Sequence, residues 1–207
     1  ARPTPKAAMG NDLSSGSNIM AISAMSHIVK FDKKELLALQ KEFARLAKKR
    51  GHDHTVTREE FGEALALVGI READKEILNR IFTLCDETGD EQINFREFVV
   101  GIAPVVRGSL VEKLQFSFQL FDKGGTGAVS KDEMFDILNA MNKHVSYFGD
   151  DMMPEEEVRK LVDEIFEEHD TEKNGQLDYA EYMRAVAEHP KLVEFIASAP
   201  NEVGEEK

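Results

Sequence analysis

The segment at residues 170–181, which reads DTEKNGQLDYAE, constrains the fold of this chain more than any other stretch. Gly175 at position 6 permits a left-handed backbone turn, and oxygen-bearing groups lie on both sides of it. This spacing suits a hard cation, because Ca²⁺ takes six to eight oxygen ligands in a flexible cage. The candidate ligands, at positions 1, 3, 5, 7, 9 and 12, are Asp170, Glu172, Asn174, the backbone carbonyl of Gln176, Asp178 and Glu181.

The pattern is that of an EF-hand calcium loop, in which a glutamate at position 12 closes the cage with both carboxylate oxygens. Glu172 departs from the pattern, because its side chain is one methylene longer than the usual Asp or Asn at position 3. We predict that this segment, the fourth loop, binds Ca²⁺, with Mg²⁺ as a second candidate. The alternative is an acidic surface turn that binds no metal.

Two further segments repeat this pattern with losses. Residues 86–97 (the second loop) carry Glu91 at position 6, and a left-handed turn costs a residue with a side chain about 1–2 kcal/mol. Residues 122–133 (the third loop) keep Gly127 at position 6, but Gly124 offers no side-chain oxygen at position 3. We expect weaker metal binding at both. The candidate ligands are Asp86, Thr88, Asp90, Gln92, Asn94 and Glu97 in the second loop and Asp122, Thr126, Ala128, Ser130 and Glu133 in the third, with Gln92 and Ala128 offering backbone carbonyls.

The copy of the repeat nearest the N-terminus has lost its ligands. Counting back from Glu60 places Lys49 at position 1, where an anionic ligand is needed. Val56 still occupies the apolar position ahead of a capping box formed by Thr57 and Glu60. We predict that this copy binds no metal and keeps only a structural role.

Amphipathic helical stretches flank the loops, so the repeating unit is a helix, a loop and a second helix. The aliphatic residues at position 8 (Ile93, Val129 and Leu177) are expected to pair in short antiparallel ribbons between neighbouring loops. The predicted fold class is all-α, with two lobes of paired hands. The predicted divisions are an N-terminal extension (1–30), an N-terminal pair of hands (31–106), a C-terminal pair (109–197) with an internal linker (142–154), and an acidic tail (198–207).

Apolar residues outside the hands indicate two docking segments. Residues 18–29 are more apolar than a free tail requires, so they dock on the protein itself or on a larger assembly. Residues 192–196 form a similar stripe, which is suited to fill the C-terminal lobe when no partner is present. Met9 and Gly10 would begin a myristoylation signal if translation started there, but we expect no lipid, because the glycine is internal to this chain.

Charge and composition argue against several functional classes. The net charge of −13 lies in residues 111–207, because the first 110 residues carry equal numbers of acidic and basic side chains. The basic stretch at residues 30–50 follows a helical pattern, so it is either a solvated helix face or a docking surface for an acidic partner, and we predict no nucleic-acid site. No apolar run approaches the roughly 20 residues of a membrane span. With Cys85 as the single cysteine, no internal disulfide is possible, and a reducing compartment such as the cytoplasm is expected.

Catalytic patterns are not evident in the sequence. The histidines show neither metal-ligand nor triad spacing, and no glycine-rich loop is placed to cradle phosphate. Cys85 lacks an evident general base, and its position at the end of an apolar helix face predicts a core residue. We therefore expect that the protein is not an enzyme.

The segment RGSLVEKLQFSFQLFD at residues 107–122, followed by SKDEMFDIL at residues 130–138, resembles the centre of proteins of the calcineurin B, neuronal calcium sensor and calaxin group. The similarity covers residues 31–197. The RGSL and DEMF segments, together with a degenerate first hand, are most similar to the calaxin family of ciliary outer-arm dynein sensors. A calcium-binding subunit of the outer dynein arm docking complex is a related candidate.

This resemblance implies a calcium-binding regulatory subunit or adaptor that engages a protein partner, such as a helix or coiled coil, within a larger assembly. The implied location is the cytoplasm and, more narrowly, the axoneme of a cilium or flagellum. The alternative hypothesis is a constitutive structural adaptor, whose hands serve as scaffolding and bind a partner independently of metal. Partner binding that is equal with chelator and with Ca²⁺ would favour the alternative.

Overall fold

The computed structural model describes residues 16–49, 51, 54–70, 75–145, 153–190 and 192–193. Within these residues the chain is mostly helical with two small sheets, which confirms the predicted all-α class of paired hands. The elements in chain order are α1 (Gly16–Val29), α2 (Lys33–Lys49), β1 (Thr55–Thr57), α3 (Phe61–Ala66), α4 (Lys75–Cys85), β2 (Gln92–Asn94), α5 (Phe95–Arg107), α6 (Leu110–Phe121), β3 (Ala128–Ser130), α7 (Lys131–Val145), α8 (Glu155–His169), β4 (Gln176–Asp178) and α9 (Tyr179–Glu188).

Each sheet is a two-stranded antiparallel ribbon that joins the loops of two neighbouring hands. Strand β1 pairs with β2, so that Val56 faces Ile93, and β3 pairs with β4, so that Val129 faces Leu177. All four aliphatic side chains are fully buried. The predicted pairing at position 8 is confirmed, and Val56 of the first hand takes part in it although that loop has lost its ligands.

Aromatic rings form the centre of the N-terminal lobe, which comprises α2 to α5. The ring of Phe98 lies 5.2 Å from that of Phe43 and 6.2 Å from that of Phe61, and Phe61 meets Phe82 edge to face at 5.3 Å. All four rings are at most 1% exposed. Burial of this kind stabilises the lobe without any contribution from metal ligands.

Helix α5 crosses α4 very closely at Gly101. A Cβ atom at this position would lie 2.4 Å from the sulfur of Cys85 and 3.0 Å from its Cα, so a side chain cannot be placed there without displacing α4. Cys85 is 2% exposed, and burial raises the pKa of its thiol to about 12. The prediction that Cys85 is a core residue is confirmed.

Helix α1 lies against α2 and α5 of the N-terminal lobe. Ile22 is fully buried and Val29 is 3% exposed, whereas Ile28 on the opposite side is largely exposed. Beyond the end of the helix, Lys30 donates a hydrogen bond to Glu112 in the first turn of α6. Of the two surfaces that the sequence left open for this segment, the structure places it on the protein itself.

The C-terminal lobe, which comprises α6 to α9, contains a buried pair of hydroxyl groups. The Ser117 and Tyr182 oxygens lie 2.7 Å apart, and the Ser117 hydroxyl also contacts the carbonyl of Leu114. Just after α9, Leu192 is fully buried, which fits the predicted docking stripe. The other two large apolar residues of that stripe, Phe195 and Ile196, lie outside the described residues.

The predicted linker at residues 142–154 begins too early. Helix α7 continues to Val145, and Asn142 is a buried residue of that helix. Its side-chain amide donates to the carbonyl of Met153 at 2.7 Å and accepts the N–H of Met153 at 2.9 Å. This two-point contact ties α7 to the start of α8, and the helix continues because its apolar face remains in contact with α8.

Arg80 and Lys123 form contacts between the two lobes. Arg80 of α4 donates hydrogen bonds to the backbone carbonyls of Gln119, Asp122 and Lys123 at the end of α6. Lys123 in turn forms ion pairs with Glu76 of α4 and, at 2.9 Å, with Asp136 of α7. The second hand is therefore attached directly to the third. No helix in the described part of the chain is both long and apolar enough to cross a membrane.

Candidate calcium sites

The carboxylate at position 1 organises each of the three candidate loops in the same way. In the fourth loop, Asp170 accepts the backbone N–H of Asn174 at 3.1 Å and that of Gly175 at 2.7 Å. Asp86 and Asp122 accept the N–H groups at positions 5 and 6 of their own loops, at 2.8 to 3.3 Å. Each loop is thus wound around its first carboxylate, whose Oδ2 atom accepts one backbone N–H and retains a lone pair for a cation.

The glutamate at position 12 ties the loop to the helix that follows it. Glu181 accepts the N–H of Thr171 at 2.9 Å and that of Asp178 at 3.2 Å, and Asp178 accepts the N–H of Glu181 in return. The hydroxyl of Thr171 is the main cause that lowers the pKa of Glu181. The carboxylate is therefore ionised at neutral pH, although the residue is only 3% exposed.

The second and third loops share this arrangement with one difference. Glu97 and Glu133 accept the N–H of position 9 and the N–H of position 3, whereas Glu181 takes the N–H of position 2. Burial would raise the pKa of Glu133, but hydrogen bonds from Ser130 and Gly124 outweigh it and lower that pKa. Reciprocal capping contacts between positions 9 and 12 are present in all three loops.

The donors of the fourth loop fit a hard cation. Gly175 adopts φ +76°, as the predicted turn requires. Glu172 and Asn174 are exposed, and Asn174 accepts the N–H of Gln176 at 2.8 Å. All the side-chain donors are oxygen atoms, four of them from carboxylates, and charge of this kind raises Ca²⁺ affinity. The structure therefore brings the six predicted ligands of residues 170–181 into one loop.

The second loop forms its turn despite the side chain at position 6. Glu91 adopts φ +61°, at the cost that the sequence predicts for a non-glycine residue. Its carboxylate accepts hydrogen bonds from Arg58 at 2.9 and 3.0 Å, and the Arg58 guanidinium lies 4.2 Å above the ring of Phe82. This contact from the first hand offsets part of the cost, because exposed ion pairs contribute roughly 0.2–1 kcal/mol.

In the third loop, candidate ligand oxygens form hydrogen bonds with one another. The Thr126 hydroxyl lies 3.0 Å from the carbonyl of Ala128 and 3.3 Å from a carboxylate oxygen of Asp122. Two candidate ligands, at positions 5 and 7, are therefore bonded to each other. Gly124 contributes only its N–H, which Glu133 accepts at 3.1 Å. With two carboxylates where the fourth loop has four, this loop has the weakest donor set of the three.

The degenerate first loop is described only in part, because residues 50, 52 and 53 lie outside the described residues. Lys49 is exposed at the end of α2, and the N–H of Thr57 donates to Glu60 at 3.0 Å. The prediction that this copy holds no metal stays a prediction.

Sequence reasoning missed one group of potential metal ligands. Glu168, His169 and His189 each place one ligand atom within 4.8 Å of the other two. The two histidines lie 20 residues apart, on opposite sides of the fourth loop. No local spacing could have indicated them, since the whole hand must fold before they meet.

Two protein-family models match the two pairs of hands separately. A model described as an EF-hand domain pair matches residues 111–187, and a second model with the same description matches residues 52–100. Calcium-binding protein NCSA of Dictyostelium discoideum is 34% identical over 142 residues, which cover 68% of this chain and 72% of that protein.

Calaxin proteins are also similar to the chain. Calaxin of Xenopus laevis is 30% identical over 177 residues, which cover 83% of this chain and 82% of that protein. Human calaxin is 35% identical over 122 residues, which cover 58% of this chain and 56% of the human protein. The match thus spans little more than half of human calaxin.

Proposed function

Because the chain belongs to the superfamily of EF-hand calcium sensors, as its resemblance predicted, we propose that it is a non-enzymatic calcium-binding regulatory subunit or adaptor of a larger assembly. The observation that carries this proposal is the fourth loop. Its oxygen donors surround a glycine turn, and its closing glutamate is ionised and buried at the start of a helix.

Glu181 is the residue that connects the fourth loop to the helices. Its carboxylate contacts Thr171 at the start of the loop and Asp178 at the N-terminus of α9. A cation bound in the loop supplies positive charge that the four carboxylates share. Any rearrangement of the Glu181 contacts then changes the position of α9 relative to α8, which is how paired hands transmit binding to their surface.

The proposed partner is a protein helix or coiled coil. The N-terminal lobe carries an open cavity of about 290 Å³ with a mostly apolar lining, and an apolar anchor residue of an amphipathic helix fits a pocket of this size. Leu39 and Leu67 are among its apolar lining residues, and Glu35, Glu42 and Arg107 are among its charged ones. The similarity to calaxin proteins supports a place in the outer dynein arm of a cilium or its docking complex, and with it a cytoplasmic, axonemal location.

Calorimetry with Ca²⁺ tests the proposed metal site. We expect the wild-type chain to bind Ca²⁺ and Glu181→Gln to lose the tightest site, while the matched variants Glu97→Gln and Glu133→Gln in the second and third loops keep it. Absence of binding by the wild-type chain would refute the proposal. The same titration with Mg²⁺ determines which ion the fourth loop prefers, since Mg²⁺ demands a stricter octahedral geometry.

A second candidate function, the constitutive adaptor, is favoured by one observation. The first three loops depart from the calcium pattern, at Lys49, Glu91 and Gly124, whereas both ribbons between the hands are retained. Retention of axonemal proteins on immobilised chain distinguishes the two functions. Calcium-dependent retention that Glu181→Gln abolishes supports the sensor, and equal retention with chelator and with Ca²⁺ supports the adaptor.

A further inference from the structure

We propose that Glu168, His169 and His189 form a transition-metal site, with Zn²⁺ as its ion, where the end of α8 meets the turn that follows α9. This site is separate from the calcium loops. It uses imidazole nitrogens, which suit Zn²⁺, whereas the loops use only the oxygen atoms that suit Ca²⁺.

The distances between the ligand atoms match a zinc site. The Nε2 atoms of His169 and His189 lie 3.2 Å apart, and a carboxylate oxygen of Glu168 lies 3.2 Å from Nε2 of His189 and 3.9 Å from Nε2 of His169. Zn²⁺ bonds to such ligands at about 2.0–2.1 Å in tetrahedral geometry, which places ligand atoms about 3.3 Å apart. Small side-chain rotations of Glu168 would complete this arrangement.

The surroundings hold the two imidazoles in place. The His169 side chain is 6% exposed and that of His189 is 16% exposed, and the rings meet edge to face with centroids 5.2 Å apart. The backbone N–H of His189 donates to Ala185 at 2.9 Å, which fixes the residue at the end of α9. Glu168 is 61% exposed, so a solvent molecule can reach the fourth coordination position.

The place of the site in the fold indicates what it would do. The N–H of Leu192 donates to the carbonyl of His189 at 3.0 Å, and Leu192 is fully buried in the core. A metal held by His169 and His189 would therefore join α8 to the segment that carries Leu192. Zinc would stabilise that segment on the C-terminal lobe and restrain the two helices of the fourth hand.

Titration of the Ca²⁺-saturated full chain with Co²⁺, a spectroscopic substitute for Zn²⁺, tests the proposal. We expect one equivalent of Co²⁺ with the visible absorption of a tetrahedral ion, displaced by Zn²⁺. Loss of an outer-shell partner weakens metal binding about 10–100-fold, so loss of a direct ligand in His189→Gln should weaken it at least about tenfold. His54→Gln, which changes an exposed histidine of the N-terminal lobe, serves as the control and should bind normally.

Two results would overturn the proposal: no tetrahedral Co²⁺ spectrum from the wild-type chain, or the same affinity in His189→Gln as in the wild type. Glu168→Gln changes an exposed ligand and serves as the second variant if His189→Gln fails to fold; it should also weaken Co²⁺ binding, and an unchanged affinity would likewise overturn the proposal. Circular dichroism and Ca²⁺ calorimetry of each variant confirm that the fold and the fourth loop are intact. A Zn²⁺-dependent rise in melting temperature, absent in His189→Gln, gives independent support.

Discussion

Truncation of Arg80 to alanine should loosen the contact between the two lobes. The Arg80 guanidinium donates to the carbonyl of Gln119 at 2.7 Å, to that of Lys123 at 3.2 Å and to that of Asp122. These carbonyls end α6 and begin the third loop, so the arginine also interacts favourably with the negative end of the helix dipole. The third loop is therefore held in part by a residue of the second hand.

The magnitude follows from the burial of each carbonyl. Asp122 is 6% exposed, and a buried hydrogen bond to a charged group contributes about 1.5–3 kcal/mol. Gln119 is exposed and Lys123 is half-buried, so water replaces most of what is lost there. The Nε of Arg80 is buried with no hydrogen-bond partner among the described residues. Removing this unsatisfied group stabilises the folded chain by about 1 kcal/mol, which offsets part of the loss. The net loss should be about 1–2 kcal/mol.

Urea unfolding and thermal melting of the metal-free chain measure this loss. For a chain of this size, 1 kcal/mol corresponds to about 2–4 °C, so Arg80→Ala should melt roughly 2–8 °C lower. Arg45→Ala is the matched control, because Arg45 is 72% exposed and forms an ion pair with Glu42 within its own helix. Arg80→Lys should be intermediate, since an ammonium group cannot span the three carbonyls.

A loss below about 0.5 kcal/mol in Arg80→Ala, the size expected for an ordinary surface substitution, would refute this reasoning. So would an equal loss in Arg80→Ala and Arg45→Ala. In either case the contact between the lobes would depend on apolar packing, and the three carbonyls would be solvated as well by water as by the guanidinium.

Three further substitutions test other contacts. Gly101→Ala should cost about 1–3 kcal/mol in urea unfolding, because its Cβ would lie 2.4 Å from the sulfur of Cys85; a neutral effect would contradict the close crossing of α4 and α5. Tyr182→Phe removes one hydroxyl of the buried pair and should cost about 1 kcal/mol, and a gain in stability would argue against that hydrogen bond. Hydrogen bonds, chiefly from Lys30, lower the pKa of Glu112 to about 2 in the folded chain. Because this pKa lies below the unfolded value of about 4.3, ionised Glu112 stabilises the fold above about pH 4.3. That stabilisation is lost as the pH falls towards 2. Lys30→Met should therefore unfold at higher pH in an acid titration followed by circular dichroism, and an unchanged midpoint would show that the contact does not contribute.

Local sequence spacing was sufficient to predict the frame of the hands. A ribbon pair needs only an aliphatic residue at position 8, and Val56 and Ile93 meet as predicted although the first loop has lost its ligands. A capping box needs only a polar residue three positions before a glutamate, and Ser109 and Glu112 form one at the start of α6. These features depend on residues within one helical turn or at one loop position.

Spacing could not predict the contacts made across the fold. The turn at Glu91 is supported by Arg58, which lies 33 residues earlier in the chain. The extension of α7 to Val145, into the predicted linker, is accompanied by the contact between Asn142 and Met153, which lie 11 residues apart. Each of these features is decided by a partner that reaches the residue only after the helices have packed.

The sequence by itself determined that the chain folds as paired helix-loop-helix units with its best donor set at residues 170–181, because periodic apolar positions and alternating oxygen donors act within each unit. Only the tertiary structure decided that α1 lies on the N-terminal lobe, that Arg80 joins the second hand to the third, and that His169 meets His189. These contacts join residues far apart in the chain, and their energies depend on burial and distance, which exist only once the helices are in place.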